Sequence, residues 1–316
     1  VLEAHFINVG YGDAALVLQK EAGAIRFCML IDCGGEETGK EGPPDSRVTA
    51  AEYLGELGVS KIDILLLSHL HLDHCGGLYA LAEHFAVGEL WSNYVPRGTL
   101  GVHEEIRTDG GPGPGPKNLL RALDVYTRAL RLLKTKKTVI REITAGFSYD
   151  CPLGHISVLA GGPPLLKRQA ELLGRVLSGQ GTNALLTELD GFINNTSLRA
   201  ELRLNDRVFL FAGDIYASEW EKEGIFHADV LKVPHHGHAD AMNAAVAEKL
   251  RPDYAVISVS NTRTDCPSPS AVEALQRAGA QVLFTDAAAT PGCPQGDPRR
   301  AVVFRVDGRG RIAVFY

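Results

Sequence analysis

Residues 62–67, Ile-Asp-Ile-Leu-Leu-Leu, run directly into Ser68-His69-Leu70-His71-Leu72-Asp73-His74, and this junction constrains the chain more than any other stretch. The mostly apolar run keeps neither a helical period nor strict alternation, which predicts a strand buried on both faces. Three imidazoles and a carboxylate then fall within the six residues 69–74 at its carboxyl end. That ligand set suits zinc, manganese or iron. A lone histidine would read as a solvated loop residue. Four donors in an H-x-H-x-D-H pattern at the mouth of a buried strand read as a metal site. Gly76-Gly77 then let the backbone enter a helix predicted over 78–84.

The same pattern is the signature of the metallo-β-lactamase superfamily, which the chain resembles. Within it the chain is most similar to the ComEC-like branch, the hydrolase domain at the C-terminus of a bacterial DNA-uptake channel protein. Six stretches carry the resemblance, in the family's order: Asn8-Val-Gly-Tyr-Gly-Asp13, Ile31-Asp-Cys-Gly34, the histidine motif, Asn194-Asn-Thr-Ser-Leu198, Gly213-Asp-Ile215 and Asp229-Val-Leu-Lys-Val-Pro-His-His-Gly237. They span nearly the whole chain. The resemblance implies an α/β (α+β) fold, the αββα sandwich of two mixed β-sheets flanked by helices.

It also implies a ligand set for two divalent ions, zinc or manganese. Asp73 and His74 would bind one, His69 and His71 the other, and Asp214 would bridge both. The last ligand is a histidine after the next strand; His235 is the expected one, with His236 its neighbour. Asp32 is expected to orient a ligand histidine from beneath, as such carboxylates commonly do. Asn194-Asn195 stand where most members carry a further histidine, and an amide oxygen is a much weaker zinc ligand than imidazole. The branch shares this feature. Two further departures are His238, where the family has Ser, and Asp265-Cys266-Pro267, where it tends to have Gly-His-Pro. Asp73 and His238 are the expected catalytic residues, the latter as a general acid to the leaving group; a solvent-exposed loop histidine explains it equally well.

The rest of the sequence fits one domain over residues 1–316, without a linker-like break. Strands are predicted at 4–9, 14–19, 27–31, 89–95, 138–143, 147–149, 155–159, 197–204, 208–212, 230–233, 255–259 and 282–284, with a closing hairpin of 302–306 and 312–315. Helical spacing appears at 48–57, 119–133, 165–177 and 270–278. Residues 97–117, with Gly110-Gly-Pro-Gly-Pro-Gly-Pro116, read as a flexible Gly/Pro-rich insertion from which His103, Glu104, Glu105 and Arg107 could reach the site. Lys134-Thr-Lys-Lys137 is the most basic patch available for phosphates, although charges capping a helix C-terminus account for it too.

Charge and cysteines bound the function. A net charge of -6 provides no overall positive field for a polyanion, so any nucleic acid has to be held locally. The six cysteines, without CxxC pairing, fit buried thiols in a reduced compartment; Cys75 reads as a small residue under the site rather than a ligand. No uninterrupted apolar run reaches the roughly 20 residues of a bilayer span, and no signal peptide is visible, so a cytoplasmic location is expected. The chain opens on Val1 rather than Met, which leaves room for upstream residues.

Two cations held by carboxylate and imidazole favour hydrolysis: a bridging water loses its proton near neutral pH while the cations neutralise charge on the attacked and leaving oxygens. A phosphodiesterase or nuclease is the expected function, with nucleic acid or a small phosphodiester as its partner. Hydrolysis of a small phosphorylcholine-type ester, lactone, lactam or thioester is the alternative, since fold alone does not select among them. A non-catalytic metal-binding effector module is the third reading, and the many retained ligands argue against it. Oligomeric state stays open.

Overall fold

A computed structural model describes residues 1–38, 46–97, 113–222, 227–260, 262–287, 290–293 and 299–316. His103, Glu104, Glu105 and Arg107 lie outside the described residues. The first sheet contains β1 (Leu2–Ile7), β2 (Ala15–Glu21), β3 (Ala24–Ile31), β4 (Lys61–Leu66), β5 (Ala86–Ser92) and β6 (Val139–Glu142). The second contains β7 (Phe147–Cys151), β8 (Gly154–Leu159), β9 (Arg199–Leu204), β10 (Arg207–Phe211), β11 (Val230–Lys232), β12 (Tyr254–Ile257) and β13 (Gln281–Phe284). The hairpin of β14 (Ala301–Val306) and β15 (Ile312–Phe315) returns to the first sheet, where β14 pairs antiparallel with β1.

Both sheets are mixed. In the first, ordered β15-β14-β1-β2-β3-β4-β5-β6, the strands from β3 to β6 run parallel and the others antiparallel. In the second, ordered β13-β12-β11-β10-β9-β8-β7, the strands from β10 to β13 are parallel. Each parallel set needs crossover connections, and those connections supply the outer helices. Helices α1 (Ala50–Glu56), α2 (Leu72–Cys75), α3 (Leu78–His84), α4 (Pro114–Thr135), α5 (Pro163–Arg175) and α6 (Asn183–Asp190) cover the first sheet. Helices α7 (Ala217–Lys222), α8 (Ala244–Leu250) and α9 (Pro269–Arg277) cover the second. The layers are therefore α, β, β, α.

Strand β4 shows why its sequence is apolar almost throughout. Ile64 and Leu66 face the second sheet, in a core with Phe6, Trp91, Phe209, Phe211 and Phe304. Ile62 and Leu65 face the helices. With both faces covered, a period-2 alternation has nothing to report.

The sequence expectation fails at the start of α4. That helix begins at Pro114 rather than at 119, so residues 114–117 of the expected insertion are helical. Proline in a first turn has a suitable φ and lacks only an N–H that would have had no intrahelical partner. Within the Lys134–Lys137 patch, Lys136 Nζ donates to the carbonyls of Ala82 and Glu83, at 2.6 and 2.9 Å, at the end of α3.

Trp91 is fully buried between the sheets, edge-on to Phe147 and Tyr149 at 5.3 and 5.4 Å between ring centroids. Trp91→Ala is expected to lower the free energy of unfolding by about 3–5 kcal/mol. Equilibrium urea unfolding followed by circular dichroism checks this; a loss under about 1 kcal/mol would mean that the sheets are not packed through this ring.

Candidate metal centre

The polar residues gather where the carboxyl ends of the parallel strands of both sheets meet. Asp32 follows β3, Ser68 and His69 follow β4, Asp214 follows β10, and His235 and His236 follow β11. Crevices at the carboxyl ends of parallel strands are the usual place for sites in sheets of this kind. Gly213 permits the closure: its φ is +56°, and a Cβ there would lie 2.8 Å from Ser197 Cβ and 2.9 Å from Ser68 Cβ.

Six side chains present donor atoms to a common space. His69 Nε2 is 3.2 Å from His71 Nδ1. His74 Nε2 is 3.1 Å from Asp214 Oδ2 and 3.7 Å from Asp73 Oδ2. His236 Nε2 is 3.1 Å from Asp73 Oδ2 and 3.6 Å from Asp214 Oδ2. Two ligands at about 2.1 Å from one tetrahedral zinc ion are about 3.4 Å apart, and these separations bracket that value. His69 Nε2 lies 4.0 Å from Asp214 Oδ2, which brings the His69–His71 pair to the edge of the same group. Asp214 Oδ1 meanwhile accepts the backbone N–H of His235 at 3.1 Å, which aims Oδ2 at the imidazoles.

The far nitrogen of each ring faces an oxygen. His74 Nδ1 lies 2.9 Å from Asp32 Oδ2, and His69 Nδ1 lies 3.0 Å from Ser68 Oγ. Ser68 Oγ in turn donates to Asp32 Oδ2 at 2.7 Å. His71 Nε2 is 3.4 Å from Asp190 Oδ1, and His236 Nδ1 is 3.5 Å from Asp13 Oδ1. Buried Lys232 forms an ion pair with the other oxygen of Asp13. For His74 and His69 the oxygen behind the ring fixes the tautomer that leaves the inner nitrogen free as a ligand, whereas His71 Nε2 and His236 Nδ1 face their carboxylates without a hydrogen bond.

Electrostatics agree with a cation site. Burial, with help from His74 and His71, pushes His69 well below the usual histidine value, so it is neutral and carries a lone pair. Burial opposes charge on Asp214, but His74 and His236 outweigh it and hold the carboxyl well below its ordinary value. For His74 burial is likewise outweighed, here by Asp214, Asp73 and Asp32, and the imidazole is held well above its ordinary value. His74 Nε2 nevertheless has no hydrogen-bond partner, although Asp214 is so near. A buried nitrogen facing carboxylates without bonding to them fits a place for a cation shared among them.

The structure places the two adjacent histidines differently. His236, not His235, meets Asp73, His74 and Asp214, the four donor atoms lying within 4.8 Å of one another. The reason is local backbone: His235 and His236 both take left-handed conformations, with φ of 48° and 51°, before Gly237 at 75°. That tight turn sends the ring of His236 into the buried centre. The ring of His235 instead lines the cavity wall, with Nδ1 3.0 Å from Asp240 Oδ1 and Nε2 3.4 Å from Asn194 Nδ2. Consecutive left-handed non-glycine residues are costly and cluster at functional sites.

His238 stands apart from the central donors. Its ring stacks on that of His235 at 4.3 Å, and it groups with Asp265 and Cys266 rather than with the central donors. Asn194 Oδ1 is buried without a partner beside the centre, whereas Asn195 Oδ1 accepts the backbone N–H of Tyr216 at 3.0 Å and so fixes the chain just past Asp214. Cys75 is fully buried against α4, near the carbonyl of Ala122. Sequence reasoning gave no role to Asp13, Ser68, Asp190, Ser197 or Lys232. Asp13 and Ser197 lie inside stretches that carried the family resemblance; Asp190 ends a helix that was not expected.

The centre opens on a cavity of about 520 Å³ whose lining includes Tyr11, Asp73, Asp214, Asn194, His235 and Arg263. The sandwich and the donor set together suit a divalent-metal centre at the seam of two sheets. The family model described as the metallo-beta-lactamase superfamily matches residues 15–140. Over that stretch, which holds the histidine motif, the chain is similar to that superfamily. It is 26% identical over 297 residues to ComE operon protein 3 of Bacillus subtilis (strain 168), covering 90% of this chain and 32% of that protein. It is 27% identical over 128 residues to the anti-Pycsar protein Apyc1 of Paenibacillus xerothermodurans, covering 39% of this chain and 44% of that one. The chain thus spans less than half the length of these curated relatives. The solved metallo-beta-lactamase fold protein YhfI from Bacillus subtilis aligns with a TM-score of 0.48 at 12% identity, over 90% of this chain and 96% of that one. Among the described residues no helix is long and apolar enough to cross a membrane.

Two outcomes test the centre. Elemental analysis after reconstitution with zinc is expected to find about two ions per chain, falling to about one in His236→Ala and unchanged in His235→Ala. The reverse ranking of these variants would undo the assignment. Asp32→Asn, which weakens the hold on His74, is expected to lower zinc affinity about 10–100-fold in a chelator competition.

Proposed function

We propose that this chain is a phosphodiesterase, with nucleic-acid or smaller phosphodiester substrates, working with two divalent cations, zinc or manganese. The observation that carries the reading is the group of inner donor atoms of Asp73, His74, Asp214 and His236, with the His69–His71 pair beside Asp214 Oδ2. When bound there, the two cations supply a nucleophile from water at neutral pH and neutralise charge on the attacked and leaving oxygens. Phosphodiesters suit the arrangement because both nonbridging oxygens can meet positive charge.

The chain's own residues do the remaining work. Asp214 and Asp73 stay ionised and hold the centre together. Asp32 and Ser68 keep His74 and His69 in the ligand tautomer. His235, oriented by Asp240, presents Nε2 beside Asn194 at the cavity wall, where it can hydrogen-bond a substrate oxygen. The two curated relatives add support only through their shared descent.

A small-molecule substrate remains the second reading, and one observation favours it: a cavity of about 520 Å³ has the scale of a nucleotide or drug-sized ligand rather than a duplex. Its candidates are a phosphorylcholine-type ester, a lactone, a lactam or a thioester.

The test is hydrolysis by zinc- or manganese-reconstituted protein of bis(p-nitrophenyl) phosphate and of end-labelled single-stranded DNA, with Asp73→Ala as the contamination control. Cleavage of the diester, reduced at least about 10³-fold in Asp73→Ala, is expected. Turnover of a lactam or thioester by fully metallated protein that leaves both phosphodiesters intact would hand the function to the second reading.

A further inference from the structure

Arg263 lies on the cavity wall away from the ligand loops, and three contacts hold it rigidly. Its guanidinium sits 4.3 Å above the centroid of the Tyr11 ring. Tyr11 in turn packs against the ring of His236, at 4.5 Å between centroids. Arg263 Nε and Nη2 both donate to the carboxylate of Asp265, at 2.8 and 2.5 Å. Tyr11 thus touches both the guanidinium and the ring of a candidate metal ligand.

This fixation leaves part of the guanidinium usable. Nη1 makes no hydrogen bond among the described residues, and the side chain keeps 38% of its exposure while lining the cavity. Arg121 also lines the cavity, but it pairs with Glu36, and Asp190 stands on that side too. Both arginines are paired with a carboxylate; what sets Arg263 apart is its seat on the Tyr11 ring beside a candidate metal ligand. A planar guanidinium already oriented by a carboxylate and a ring loses little freedom on receiving a phosphate.

The distance decides which phosphate it takes. Both Arg263 and His236 touch the Tyr11 ring, so the Arg263 charge lies within the length of one nucleotide of His236. We propose that Arg263, seated on Tyr11, forms a second anion subsite that takes a phosphate of the substrate other than the one being cleaved. The proposal rests on the phosphodiesterase reading and narrows it: the favoured substrates carry two phosphates about one nucleoside apart, as an oligonucleotide does. A purely structural Arg263, closing the loop after β12 through Asp265, is the competing account.

Binding without turnover separates the two. Thymidine 3′,5′-bisphosphate and thymidine 5′-monophosphate are titrated calorimetrically into the zinc-loaded full chain, as wild type, Arg263→Met, Arg263→Lys and Asp265→Asn. Arg263→Met is expected to weaken the bisphosphate about 10-fold while the monophosphate stays within about 2-fold. Arg263→Lys should recover part of the loss, and Asp265→Asn, which keeps the guanidinium, should bind the bisphosphate within about 3-fold of wild type. Equal weakening of both probes, no weakening of either, or the full loss reproduced by Asp265→Asn would each overturn the subsite. Because no bond is broken, an inactive enzyme would sink the phosphodiesterase reading in the hydrolysis assay while leaving this result readable.

Discussion

The carboxylate of Asp32 is the interaction on which the centre depends. It sits at the end of β3 in a left-handed conformation, φ 56°, and accepts the backbone N–H of Ser68 at 2.7 Å, the Ser68 hydroxyl at 2.7 Å and His74 Nδ1 at 2.9 Å. One buried charge thereby ties the ends of two parallel strands together and sets the tautomers of two histidines, His74 directly and His69 through Ser68. Burial pushes the Asp32 carboxyl up, and the His74 imidazole opposes that rise. A neutral amide of the same shape would keep some of these contacts but would lose the charge that draws a proton onto Nδ1.

The fold supplies the other half of the site by the same logic. Each sheet ends its parallel strands at the same edge, and the inter-sheet core brings those edges together. The first sheet contributes Asp32 and the histidine turn, and the second contributes Asp214 and His236. Ser197 locks the seam: its hydroxyl donates to the Asn194 carbonyl at 2.7 Å, accepts the Asp214 backbone N–H at 3.2 Å and stands 3.4 Å from His69 Nδ1. Neither half of the donor set is complete without the packing of phenylalanines between the sheets. Stability of the sandwich and competence of the centre are thus one physical problem.

Much of this was legible in the sequence, and the failures have definite causes. The apolar strand before the histidines, the hairpins and the order of the motifs indicated two mixed sheets with outer helices. Which of His235 and His236 reaches the central donors depends on two consecutive left-handed residues, and nothing in a Pro-His-His-Gly string states that conformation. Asp190 and Arg263 were missed because they reach the cavity from elements remote in sequence. Helices α6, α7 and α8 are short, and their apolar positions are too few to announce a period. The early start of α4 was hidden by prolines, which mark a break in most contexts yet are tolerated in a first turn.

The central claim is that the donors around Asp214 hold two cations. Anomalous diffraction at the zinc edge from crystals of the reconstituted protein tests it most directly. Two peaks are predicted, one about 2.0–2.1 Å from His69 Nε2 and His71 Nδ1 and the other at the same distance from His74 Nε2 and His236 Nε2. A single peak, or a peak bound by the ring of His235 in place of His236, would contradict the account.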